Sequence, residues 1–148
     1  MINKLSKVLQ LSWGHRLELI QAWLALLRFD LALRTTPFTR LQRLIIQAQN
    51  RSAPPLAEPV PVMIERYRRL VEAASRNHLY PMTCLRRALA LQWMLARRGI
   101  IAELRIGVQR QAKTLQAHAW LELGGVPISD PETITERFTT LTAQKKGR

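Results

Sequence analysis

Residues 84–130 read CLRRALALQWMLARRGIIAELRIGVQRQAKTLQAHAWLELGGVPISD, and the fold class turns on this stretch. It begins in helical period: Leu85, Ala88, Leu89, Gln92 and Ala96 recur at spacings of three and four and form one inward stripe. Pro81 and Thr83 suit the start of that helix, with Thr83 expected to cap it. Arg97-Arg98 suit its last turn, and Gly99 suits the position just past its end. The period then changes from 3.6 to 2. Ala102, Leu104, Ile106 and Val108 alternate with Glu103, Arg105 and Gly107, which predicts a strand. Residues 109–114 read as a polar turn and residues 115–123 as a second strand. Gly124-Gly125 is a hairpin signal, and residues 126–129 return as a third strand. Residues 131–141 close the pattern as a short helix. A helix followed by consecutive strands is an α+β arrangement.

Upstream the chain is helical. From Ser12 to about Leu33, Leu17, Ile20, Leu24, Leu27 and Leu31 form the stripe of an amphipathic helix, which ordinarily faces a core. Thr35-Thr36-Pro37 punctuates it, and Phe38, Leu41, Leu44, Ile45 and Ala48 repeat the pattern to about Gln49. Residues 1–49 therefore read as a helical hairpin, with Trp13 and Trp23 packing it. Residues 50–61, NRSAPPLAEPVP, hold four prolines and no apolar periodicity, and read as a linker. A short basic helix from Met63 to about Ser75 opens the second unit, residues 62–148, and residues 76–81 read as a loop.

Composition narrows the function classes. At 148 residues and 47% hydrophobic, the chain can bury a core, and global disorder is excluded. One cysteine, Cys84, excludes an internal disulfide framework and any multi-cysteine zinc site, and fits a reducing, cytoplasmic compartment. His15 and His78 have no partner at metal-ligand spacing, so neither a metal nor a cofactor is expected. The net charge of +13 is spread along the chain, with one terminal cluster at Lys145, Lys146 and Arg148, read as a solvated end. It attracts acidic partners without selecting among them. The longest uncharged run in the most apolar segment, residues 19–27, is far shorter than the ~20 residues a membrane-spanning helix needs. Weak association of a basic amphipathic helix with a membrane surface stays open.

The chemistry-bearing residues fall in the opening stretch. Cys84 stands at the N-terminal end of its helix, where free N–H groups and the helix dipole favour a thiolate and can stabilise an oxyanion. Position alone does not separate this from a small buried hydrophobe. On the second strand Leu115, Ala117, Ala119, Leu121 and Leu123 share one face, and Gln116, His118, Trp120 and Glu122 share the other. If the Cys84 helix crosses the second face, His118 can serve as the base. The other reading is a surface histidine beside a tryptophan. Asp130, after the third strand, would orient the imidazole. A strict two-residue turn at Gly124-Gly125 pairs Ala119 with Asp130 and sends the carboxylate to the wrong face, so a bulge or extra loop residue is expected there. Asn77, His78 and Tyr80 are unranked candidates for an oxyanion-hole side chain.

Cys84-Leu85 opening a helix, Arg97-Arg98-Gly99-Ile100 closing it, Ile106-Gly107-Val108, His118-Ala119-Trp120-Leu121-Glu122 and Asp130 together resemble the transglutaminase-like leader peptidases of lasso-peptide biosynthesis. The resemblance covers roughly residues 80–135 and is closest to the standalone protease half of the maturation protein. It implies a transglutaminase-like/papain-like core, with a Cys helix packed on a small antiparallel sheet. It also implies a bacterial cysteine peptidase with Cys84 as nucleophile, His118 as general base and acid, and Asp130 as orienter. The substrate would be a ribosomally made precursor carrying a leader. The implied partners are a separate leader-recognition protein and an asparagine-synthetase-like cyclase that closes the macrolactam. The competing class is a basic nucleic-acid-binding or partner-binding protein. No aromatic-rich strand and no helix–turn–helix signal supports nucleic-acid binding, so none is expected. Another acyl transfer on the same scaffold is the third reading.

Overall fold

The computed structural model describes residues 13–141. Four helices come first: α1 (Trp13–Thr35), α2 (Phe38–Gln49), α3 (Val60–Arg76) and α4 (Cys84–Ala96). A four-stranded sheet follows, built from β1 (Glu103–Gln111), β2 (Thr114–Leu123), β3 (Val126–Pro127) and β4 (Thr139–Thr140). A single helical turn, α5 (Ile134–Arg137), precedes β4. The sheet order is β3-β2-β1-β4 and every pairing is antiparallel, so the α+β reading holds.

Prolines set the helix starts. Pro37 and Pro59 occupy the N-cap positions of α2 and α3, and Pro61 lies in the first turn of α3, where a missing N–H breaks no helical bond. The helix expected from Met63 therefore begins at Val60, inside the proline-rich segment. At the other end of α4, Gly99 adopts φ +78°, and the Ile100 N–H reaches back to the Leu95 carbonyl at 3.0 Å. That is the glycine-dependent helix stop read from the sequence. Thr83 does stand at the N-cap of α4, but its side chain makes no capping hydrogen bond, contrary to expectation.

One core unites the helices with the sheet. Leu26 and Phe29 of α1, Ile45 of α2, Tyr67 of α3, Leu89 and Leu95 of α4 and Leu121 of β2 belong to a single buried cluster. Helix α4 sits at its centre: Ala88, Leu89, Ala90, Leu91, Met94, Leu95 and Ala96 are all buried, a wider surface than the one stripe predicted. A helix covered by other helices on one side and by the sheet on the other needs an apolar surface nearly all round.

The orientation of α1 overturns the amphipathic reading. Leu17, Ile20, Leu24 and Leu31, four members of the expected inward stripe, are exposed, and so is Trp13, expected to pack a hairpin. The buried face is Ala22, Ala25, Leu26 and Phe29. α1 has two apolar faces, so periodicity cannot choose between them. A buried charge does. Asp30 is 2% exposed and meets Arg86 of α4 at 2.7 Å and Arg34 at 3.1 Å. A carboxylate without such partners would be costly inside the protein.

The hairpins are tighter than the sequence suggested. β1 and β2 run on to Gln111 and Thr114, so the turn expected over residues 109–114 shrinks to Ala112-Lys113, with Ala112 at φ +53°. At the second hairpin Gly124 (φ +59°) and Gly125 (φ +82°) make a two-residue turn that pairs Leu123 with Val126 and Glu122 with Pro127. The bulge or extra residue expected there is absent. The third strand ends at Pro127 instead of reaching residue 129. Only one helical turn forms within residues 131–141, and Thr139-Thr140 then pairs with Val108 and Gly107 as an unforeseen fourth strand. The terminal basic cluster at Lys145, Lys146 and Arg148 lies outside the described residues. Among the described residues no helix is long and apolar enough to cross a membrane.

Candidate active site

The two faces of β2 have different neighbours. Leu121 and Leu123 turn toward the helical core. Trp120 on the other face is fully buried with Ile134 and Phe138, a second small core closed by α5 and β4. So α4 lies against the face opposite His118 and Trp120, contrary to the arrangement required at first reading. His118 comes to share a cleft with the Cys84 end of α4 by another route. β3 pairs with Glu122 and Leu123 and the bonding on that side ends at Leu121, which leaves the part of β2 before Leu121 unpaired there. His118 and its neighbour Ala119 both line a small cleft there, and Cys84 lines it too.

Cys84 is the first residue of α4 and is half-buried. Opposite it, His118 Nε2 lies 2.8 Å from Asp130 Oδ1. With an ionised carboxylate as acceptor, Nε2 carries the proton and Nδ1 keeps the lone pair. The imidazole plane is held by rings. Phe138 lies 5.4 Å from it between centroids, and Trp120 lies 6.3 Å away at 17° between planes. Trp120 is in turn fixed by its Nε1–H, which donates to Glu122 Oε1 at 3.0 Å, while Arg105 donates to Glu122 Oε2 at 2.9 Å. The hydrogen bond to Glu122 also raises the Arg105 pKa against a smaller opposing effect of burial. Gly107, paired with His118 across the ladder, makes room for this stack: a Cβ there would meet Trp120 at 2.7 Å and Phe138 at 2.9 Å.

Asp130 reaches His118 because the returning strand leaves the ladder. The Ile128 N–H still donates to the Leu121 carbonyl at 2.8 Å. The Leu121 N–H, however, donates to the Ser129 hydroxyl at 2.9 Å. That hydroxyl donates onward to Asp130 Oδ2 at 2.8 Å. A side chain thus stands in for a backbone acceptor, and the chain swings Asp130 to the His118 side without a bulge at the glycines.

The opposite wall comes from α3. Arg68, Val71 and Glu72 line the cleft together with Arg87, one turn along α4 from Cys84. Arg87 Nη1 donates to Glu72 Oε2 at 3.1 Å, and Arg68 is held by Glu65 at 2.8 and 2.9 Å. The Arg68 pKa is raised chiefly by that hydrogen bond, with burial opposing it, and the Asp130 charge adds to the rise.

Cys84, His118 and Asp130 are thus brought to one cleft. The three candidates for an oxyanion-hole side chain do not line it. Asn77 donates to the Ala73 carbonyl at 2.7 Å, His78 stacks on Trp23 at 4.7 Å, and Tyr80 is exposed near Arg34. Sequence reading passed over Ser129, Arg68, Glu72, Arg87 and Phe138. Ser129 adjoins Asp130 and could have been noticed. The other four converge only when α3 and β4 pack.

A helix N-terminal cysteine that shares a cleft with a strand histidine and a following aspartate, on a helix-backed antiparallel sheet, is the arrangement expected of a transglutaminase-like fold. The sequence profile of the transglutaminase-like superfamily matches residues 23–143, most of the chain, and the chain belongs to that superfamily. The superfamily commonly contains cysteine peptidases and acyltransferases. No curated protein and no solved structure matches the chain.

Proposed function

We propose that this protein is a cysteine peptidase that removes the leader from a ribosomally made lasso-peptide precursor before a separate cyclase closes the macrolactam. The observation that carries the reading is the meeting of Cys84 with the hydrogen-bonded His118–Asp130 pair on one cleft. In the first step the Cys84 thiolate adds to the scissile carbonyl carbon, and the first-turn N–H groups of α4 face the developing oxyanion. The C–N bond breaks as protonated His118 delivers its proton to the leaving amine, and a thioester remains. Neutral His118 then takes a proton from water, whose oxygen attacks the thioester carbonyl. Collapse expels the thiolate and frees the carboxylate end of the leader. Asp130 holds the imidazole and stabilises its charged form throughout. An amine in place of water would turn the same thioester to acyl transfer.

The proposed setting includes a leader-recognition protein that delivers the precursor and an asparagine-synthetase-like cyclase that takes the product. The test combines precursor, recognition protein and this chain, and reads products by mass. Cleavage at one bond, lost in Cys84→Ala and His118→Ala, is expected. Precursor left intact by the wild type, or cleavage undiminished in Cys84→Ala, would refute the proposal. A product heavier by an added amine would assign acyl transfer instead.

A further inference from the structure

The outer face of α1 plays no part in that chemistry. Trp13, Leu17, Ile20, Leu24 and Leu31 are each more than half exposed. At 3.6 residues per turn they fall within an arc of about 60°, bordered by half-buried Leu27, and run about 27 Å along the helix. No polar side chain interrupts the stripe from Trp13 to Leu31. Arginines flank it on both sides, Arg28 on one and Arg16 and Arg34 on the other. Arg16 lies 5.3 Å over the Trp13 ring. The only acidic residues of α1, Glu18 and Asp30, are turned inward to Arg66 and to Arg86 and Arg34.

We propose that this face docks on an anionic lipid bilayer, with the leucine stripe at the boundary of headgroups and acyl chains and the arginines at the phosphates. Three observations favour this occupant. A second copy would bring the same arginines together between molecules that each carry +13. A protein interface of this length would carry several hydrogen bonds to fix its register, and within the stripe only the Trp13 indole N–H could donate one. Lipid needs no register, and a tryptophan-ended apolar strip bordered by arginines meets both layers of the interface.

The test uses the full chain and co-sedimentation with vesicles, either phosphatidylcholine alone or with roughly one-third phosphatidylglycerol. Binding to the anionic vesicles at least tenfold above the neutral ones, weakening with salt, is expected. Ile20→Gln/Leu24→Gln leaves the charge unchanged and should cut binding about tenfold. If that variant loses its circular dichroism signal, Leu17→Gln serves instead. No binding, equal binding to both vesicles, or full retention by the variants would overturn the proposal. So would a dimer in solution that the same substitutions dissolve, which would assign the face to a second copy.

A separate observation concerns the hydrogen bonds at Ser129. From the chain Leu121 N–H to Ser129 Oγ to Asp130 Oδ2, at 2.9 and 2.8 Å, we infer that Ser129 is a positioning residue for the His118–Asp130 pair. The inference rests on the peptidase reading for its kinetic consequence but not for its first readout. Imidazole nitrogen NMR on the free protein should show His118 protonated at Nε2 in the wild type and as a tautomer mixture in Ser129→Ala. Ser129→Thr should restore the single tautomer. In the cleavage assay, kcat should fall about tenfold in Ser129→Ala with KM unchanged. An unaltered tautomer in Ser129→Ala would overturn the inference even if cleavage occurs. A changed tautomer with no cleavage by the wild type would sink the peptidase reading alone.

Discussion

Gly107→Ala tests how His118 is supported. The new methyl carbon would sit 2.7–2.9 Å from two atoms of the Trp120 ring and from Phe138 Cβ, too close for any real contact. Neither neighbour yields easily. Trp120 is fully buried and hydrogen-bonded to Glu122, and the Phe138 atom belongs to the stem beside the backbone. Overpacking of this kind costs about 1–3 kcal/mol. Loss of glycine's freedom in the unfolded chain returns about 0.4–1 kcal/mol where the backbone conformation permits alanine. The net expectation is a destabilisation of about 1–2 kcal/mol, or a drop in Tm of roughly 2–8 °C for a chain of this size. Urea unfolding followed by circular dichroism measures it directly. The cost should shrink by at least half when Trp120→Phe makes room, a coupling that a double-mutant cycle isolates. If alanine at this position proves neutral or stabilising, the close packing of Trp120 beneath His118 is refuted.

Asp30→Ala should cost about 3 kcal/mol in urea unfolding, because half-buried Arg86 would be left without its carboxylate. An unchanged midpoint would mean that the Asp30 pair does not orient α1. Hydrogen bonds from Arg68 and Arg69 lower the Glu65 pKa to about 2. A depressed carboxylate pKa contributes stability that is present above its ordinary value and lost as pH falls from 4.5 towards about 2. Since Glu65 is partly exposed, the effect should stay below about 1 kcal/mol. The stability gap between wild type and Glu65→Gln should therefore narrow over that pH range, and a constant gap would count against the ion pairs. On the chemical side, Cys84 should react with iodoacetamide near neutral pH, and His118→Ala should change that rate several-fold. Equal rates would separate the thiol from the imidazole.

Local periodicity made much of the fold legible. The switch from 3.6 to 2 after Gly99 and the double glycine are signals in which backbone geometry dictates residue type, and each stands where it was read. Helix α1 shows where such reading stops. Leu17, Ile20, Leu24 and Leu31 form as regular a stripe as any in the chain, yet the core took the face with Ala22, Ala25, Leu26 and Phe29. With two apolar faces, the choice passed to shape and to Asp30. Small alanines admit close neighbours, and a buried carboxylate needs Arg86, which lies 56 residues away in sequence.

The candidate site divides the same way. Cys84 at a helix start, His118 on a strand and Asp130 beyond a hairpin were available to the sequence alone, because each depends on its place within one local element. How they meet was not. The register at Gly124-Gly125 is the strict one, and it points Asp130 away from His118. The contact forms because Ser129 ends the ladder with its hydroxyl. β3 stops early and leaves the β2 edge unpaired beside the Cys84 end of α4. Periodicity is a property of neighbouring residues. A hydroxyl replacing a backbone acceptor, or an edge left unpaired, depends on packing between distant segments, and only the tertiary structure decides it.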